Sequence, residues 1–111
     1  MAYDEYLEER LGRILKRRKG VTTKKMFGGL CYLLNGNMVC GIVGETLMLR
    51  LGEAGATAAL EEKHVRPMDF TGKPIKTMVY VDPDGFETDE MLRAWVGRAL
   101  EFGKTLPAKA K

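Results

Sequence analysis

Asn35-Gly36, set between two runs rich in apolar residues, constrains the fold of this chain more than any other pair. Both residues of a two-residue type I′ turn need positive φ, and Asn-Gly adopts that geometry at the least cost. A hairpin centred there sets Leu34 opposite Asn37, Leu33 opposite Met38, Tyr32 opposite Val39 and Cys31 opposite Cys40. A second tight turn at Gly44-Glu45 sets Val43 opposite Thr46, Ile42 opposite Leu47 and Cys40 opposite Leu49. Residues directly opposite each other share a face. The pairing therefore predicts a core face of Cys31, Leu33, Met38, Cys40, Ile42, Leu47 and Leu49, with no charge on it. The reverse face carries Leu30, Tyr32, Leu34, Asn37, Val39, Gly41, Val43, Thr46, Met48 and Arg50. It is less apolar, and is expected to be covered in part by the loop after residue 61 or by a second copy of the chain.

Helical spacing brackets this sheet. Over residues 4–18, Tyr3, Leu7, Leu11, Ile14 and Leu15 form one apolar stripe. Acidic residues lie at its start and Lys16, Arg17, Arg18 and Lys19 at its end, as the helix dipole favours, with Gly20 as a stop. Residues 21–26 read as extended. Residues 53–62 suggest a short helix weakened by Gly55. Residues 65–74, with Pro67, Gly72 and Pro74, read as mostly irregular, and Thr77 to Val81 as a strand. Asp82-Pro83-Asp84-Gly85 is a turn. A last helix should start at Thr88 as cap and carry Met91, Leu92, Trp95, Val96, Ala99 and Leu100 as a broad apolar stripe, with Trp95 largely buried.

The expected architecture is an α+β domain. A central, mainly antiparallel sheet of four or five strands, built from meander hairpins, is packed by N- and C-terminal helices. A chain of 111 residues with 45% apolar and 30% charged content supports one core. We assign residues 1–105 to that domain and 106–111 to a flexible tail. No 18-residue apolar stretch and no secretory leader pattern is present, so a cytoplasmic location is expected.

Several elements in order carry a family resemblance: Lys25-Met26-Phe27-Gly28-Gly29, the following Tyr32 and Asn35-Gly36, then Leu47 to Leu51, Met78 and Tyr80, and Leu92, Trp95, Ala99 and Leu100. Together they resemble the N-terminal domain of the TfoX/Sxy family, over roughly residues 5–105. The resemblance implies an α+β fold with a central antiparallel sheet and helices at both ends. Full-length members are regulators linked to natural competence and carry a further C-terminal domain, whereas this chain reads as the first domain standing alone. The resemblance implies no catalytic residues. Met26, Phe27, Gly28, Gly29, Asn35 and Gly36 are its motif, and their role is structural.

The candidate chemistries separate by residue type. Gly28-Gly29 opens a hairpin strand and lacks the spacing of a phosphate loop, so an irregular backbone or bulge is expected there. Cys31 and Cys40 are expected as free, buried thiols side by side, with a redox pair as the alternative. His64 is the sole histidine and two cysteines supply too few ligands for a structural zinc, so no metal and no cofactor is expected. The chain has no serine, and Glu61-Glu62 beside His64 lack a nucleophile. No enzyme activity is expected.

Charge gives the one hint of a partner. Residues 1–27 hold eight Lys or Arg against four acidic residues, while the whole chain carries only +3. Arg13, Lys16, Arg17, Arg18, Lys19, Lys24 and Lys25 form a candidate nucleic-acid patch, or a solvated helix end. The leading expectation is a regulatory or adaptor domain that binds a protein partner, in one form as a homodimer through the reverse sheet face. The alternative is weak, phosphate-directed nucleic-acid binding through the basic first helix and following loop. No membrane partner is expected.

Overall fold

The computed structural model describes residues 3–16, 18–26, 28–70 and 72–107. Helix α1 (Glu5–Leu15) leads into strands β1 (Val21–Met26), β2 (Gly29–Leu34), β3 (Asn37–Val43) and β4 (Thr46–Arg50). Helix α2 (Gly52–Ala59), strands β5 (Val65–Phe70) and β6 (Lys73–Val81), a 3-10 turn (Pro83–Phe86) and helix α3 (Asp89–Gly103) complete the chain. The fold is the expected α+β class. Its sheet has six strands in the order β1-β2-β3-β4-β6-β5, every pairing antiparallel. Among the described residues no helix is long and apolar enough to cross a membrane.

Local chemistry sets the element ends. Asp4 caps α1, its carboxylate accepting from the Tyr6 N–H at 2.9 Å, and the Thr88 hydroxyl caps α3 by accepting from the Met91 N–H at 3.1 Å. Asn35 (φ 51°) and Gly36 (φ 85°) form the expected left-handed turn. Helix α1 stops at Leu15, short of the expected residue 18, and the Arg18 N–H bonds back to the Leu15 carbonyl. The segment expected to be irregular, 65–74, instead forms β5 and the start of β6. Its Pro67 is tolerated because β5 is an edge strand, where a missing N–H need not break a ladder bond. Leu106 and Pro107, expected in a loose tail, are tied down: the Asn37 side chain donates to the Pro107 carbonyl at 2.8 Å.

The β2–β3 register departs from the turn-based expectation. Leu34 pairs with Asn37 and Leu33 with Met38 as predicted, but Tyr32 then pairs with Cys40, Cys31 with Gly41 and Leu30 with Ile42. Val39 is the extra residue of a bulge. Both Val39 and Cys40 are fully buried in the helix-side cluster, and Gly103 of α3 lies directly against Val39. Packing on α3 thus favours a bulge that the turn alone does not dictate. A one-residue slip moves every side chain to the other face, so the expected core list holds only on β4 and on β3 beyond the bulge, from Cys40 onward.

Leu30, Tyr32 and Leu34 join Cys40, Ile42, Leu47, Leu49, Val79 and Val81 beneath the helices. Leu7, Leu11 and Leu15 of α1 are at most 1% exposed there, each contributing about 2 kcal/mol by burial. Cys31 and Met38 belong to the opposite face, with Met26, Met48, Met68, Met78 and Tyr80. The surface expected to carry a homodimer is therefore dismantled: Leu30, Tyr32, Leu34 and Val39 are core residues. The second cluster is built from strand residues alone. Gly41 leaves room there for the Met48 methyl to lie across it.

Candidate functional site

The basic residues gather where α1 ends and β1 begins. Strand β1 is the other edge of the sheet, and its four central residues, Thr22 to Lys25, are exposed. The Asn35 N–H donates to the Gly20 carbonyl at 2.9 Å, which sets the phase of the β1–β2 ladder. In an antiparallel pair, bonded and non-bonded residues alternate. Thr22 and Lys24 therefore spend their amides on β2, while Thr23 and Lys25 turn theirs to the open edge and the Val21 N–H donates to the Arg18 carbonyl at 3.4 Å. Val21, Thr23 and Lys25 send their side chains to the helix side, opposite Leu34, Tyr32 and Leu30.

A cleft of about 350 Å³ runs between this edge and α1, lined by Gly12, Leu15, Val21, Thr23 and Tyr32 among others. Its floor is apolar, since Leu15 is 1% exposed and Val21 packs on the main cluster. Gly12 keeps it open: a Cβ there would meet nothing within 4 Å. The Tyr32 hydroxyl sits 3.5 Å from the Glu8 carbonyl, a long contact, and burial raises its pKa.

The cations around the cleft are not equivalent. Arg13 is engaged, donating to Glu9 at 2.7 Å and lying 3.8 Å from Asp89. Lys16, Arg18, Lys19, Lys24 and Lys25 are exposed, and among the described residues none of them forms an ion pair. Arg17 lies outside the described residues. From Arg10 through Gly44 the chain contains no Asp or Glu, so nothing along that stretch offsets the charge. The reach of this field is visible at Glu101, whose carboxyl is held below its usual range mainly by the Lys104 hydrogen bond and further by Arg18.

The glycine motif has a steric explanation. Gly28 adopts φ 73° with open space around it, whereas a Cβ on Gly29 would collide with the Ile42 carbonyl oxygen. One glycine turns the hairpin and the other admits β3. Met26 packs into the strand-only cluster, and Phe27 lies outside the described residues.

The side-by-side placement expected for the cysteines is not formed. Cys31 faces the second cluster and Cys40 the helix-side cluster, so their side chains diverge and no bridge can close without backbone movement. Both are free and buried. Burial pushes the Cys31 thiol up, and burial together with the nearby Cys31 pushes Cys40 up to about 12.

His64 is exposed, with φ 68°. It borders a second cleft of about 530 Å³ beside Trp95 and Arg98. Arg98 stacks 4.5 Å from the Trp95 ring and donates to Glu62 at 2.8 Å, so Glu62 serves an ion pair. Among the described residues no group of three or more His, Cys, Asp or Glu could hold a metal.

Sequence reasoning missed two features. Arg10 is only 7% exposed; it donates to the Phe86 carbonyl at 2.7 Å and to Asp89 at 3.0 Å, with the Tyr6 and Phe86 rings 5.8 and 5.7 Å away. It joins α1 to the start of α3. The second is the cleft itself, whose only signal in the sequence is a glycine inside an amphipathic helix.

Comparison with known proteins agrees with this architecture. None of the curated proteins matches the chain significantly. Residues 13–103 match the family described as the TfoX N-terminal domain, a span that takes in the basic corner, the glycine motif, all six strands and α3. The chain belongs to the TfoX N-terminal domain family.

Proposed function

We propose that the domain is a non-enzymatic regulatory or adaptor module that acts in the cytoplasm by holding a protein partner. The observation that carries this reading is an unpaired edge strand, β1, beside an unfilled cleft with an apolar floor. An open ladder next to a vacant apolar slot is a surface suited to another polypeptide. The buried free thiols are compatible with a reducing compartment. Affinity capture from native extract, with and without nuclease, tests the reading. A partner retained after nuclease is the expected result, and loss of all capture on nuclease treatment sinks it.

A second reading rests on the unpaired cations Lys16, Arg18, Lys19, Lys24 and Lys25. They could hold phosphates in weak, sequence-independent nucleic-acid binding. That reading requires binding that falls steeply with salt and weakens further when Arg17 and Arg18 are both changed to Glu. Absence of binding at about 50 mM salt rejects it.

A further inference from the structure

We propose that β1 accepts an acidic, extended segment of a protein partner as a seventh strand, with an aliphatic side chain of that segment seated in the cleft beneath Gly12. The inference rests on the adaptor reading and specifies the mode and chemistry of docking.

Three features of the corner converge on this occupant. The outward amides of Thr23 and Lys25 follow from the ladder phase set by the Asn35–Gly20 bond. They lie two residues apart, the spacing of hydrogen-bonding groups on an added antiparallel strand. The cleft lies on the helix side of Val21 and Thr23, where alternate side chains of an added strand would point. Gly12 stands in the interior of α1, although glycine weakens a helix and no neighbour within 4 Å requires it. Its effect is to leave that slot empty above Leu15 and Val21.

Charge then selects among strands. Lys24 and Lys25 point to opposite faces of β1, with Lys16, Arg18 and Lys19 at the end of α1. Lysines on an edge strand oppose pairing with a second copy of the same edge, because like charges would be set against each other. The same charges attract a strand that carries carboxylates; Glu8 lines the α1 wall of the cleft and Glu101 lies in the field of Arg18, so the attraction falls to Lys16, Lys19, Lys24 and Lys25. Nucleic acid would use the charge but neither the amide ladder nor the apolar slot.

The test uses fluorescence anisotropy on the full chain with a labelled peptide of alternating glutamate and valine or isoleucine. A second peptide is N-methylated at alternate amides, a third has lysine in place of glutamate, and a fourth probe is a single-stranded oligonucleotide. The glutamate peptide is expected to bind, and N-methylation to weaken it at least about tenfold, because methylation removes strand hydrogen bonds and leaves the charge. The lysine peptide should not bind. Thr23→Pro, which removes an outward N–H at an edge where proline is tolerated, and Gly12→Leu, which fills the slot, should each weaken binding by about tenfold or more. The proposal is overturned if the glutamate peptide fails to bind at about 1 mM, or if N-methylation leaves its affinity unchanged. It is equally overturned if the oligonucleotide binds more tightly than the peptide and is indifferent to both substitutions. Nuclease-treated capture separates this proposal from the reading beneath it. A partner still held by the Thr23→Pro chain refutes strand addition and leaves the adaptor reading standing.

Discussion

Gly29→Ala places a methyl group on the Ile42 carbonyl oxygen, an atom of the central sheet that cannot rotate away. Relief requires β2 to withdraw from β3 at the Leu30–Ile42 end, where the register runs Leu30–Ile42 and Cys31–Gly41. Giving up two or three ladder bonds at about 1 kcal/mol each, and loosening Leu30 in the core, amounts to about 3–4 kcal/mol. A domain of this size has a total stability of roughly 5–15 kcal/mol, so the melting temperature should fall by about 15 °C. Gly28→Ala is the internal control. It shares the neighbouring position and the same change, but φ is 73° and its surroundings are open, so only the left-handed backbone opposes it, at about 1 kcal/mol. Urea unfolding followed by the fluorescence of Trp95, the single tryptophan and 7% exposed, measures both. Equal losses at the two positions, or a Gly29→Ala loss below about 1 kcal/mol, would refute the close approach of β3 as the reason for the second glycine.

Arg10→Met should cost about 2–4 kcal/mol, because the buried Phe86 carbonyl loses its donor; Arg10→Lys should recover little, since an ammonium cannot bond Phe86 and Asp89 with one planar fork. Thermal denaturation of the three proteins decides, and full recovery with lysine would reject the fork. Trp95→Phe should cost about 1–2 kcal/mol by stranding the Gly85 carbonyl, which accepts from the indole at 3.0 Å; Trp fluorescence being lost, circular dichroism is the probe. Alkali should destabilise the fold. With Cys40 held near 12 in the native state and near 8.5 when unfolded, its contribution is complete below about pH 8.5 and declines by about 1.4 kcal/mol per pH unit above it. Unfolding curves from pH 7 to 10 measure that slope, and Cys40→Ala should reduce it. Thiol titration should find slow reaction in the native state and two thiols on unfolding; a Cys31–Cys40 bridge formed by mild oxidation of native protein would contradict their placement on opposite faces.

Local chemistry makes much of this protein legible in its sequence. Asn35-Gly36 and Gly44-Glu45 announced their turns, Thr88 its cap, and the periodicity of Leu7, Leu11 and Leu15 its helix, because each depends on residues only a few positions apart. The pairs next to each turn were right for the same reason. The motif containing Gly28 and Gly29 was readable as structural, but its cause, the Ile42 carbonyl, lies on another strand. The basic cluster was visible as charge, whereas Arg13 turned out to be engaged with Glu9 and Asp89, and Arg10 to be a buried link between helices.

What the tertiary structure alone decided was which way β2 faces. Nothing in the turn distinguishes a regular ladder from one that bulges at Val39; the choice follows from α3, whose Gly103, more than sixty residues later in the chain, lies against that side chain. The same long-range packing made a strand of the Pro67 segment by giving it β6 to pair with, and left β1 as an edge with a vacant cleft beside it. Turns, caps and helical stripes are settled by neighbours in the chain. Sheet order, bulges and open edges are settled by which distant surfaces bury the most apolar area together, and that balance exists only once the chain has folded.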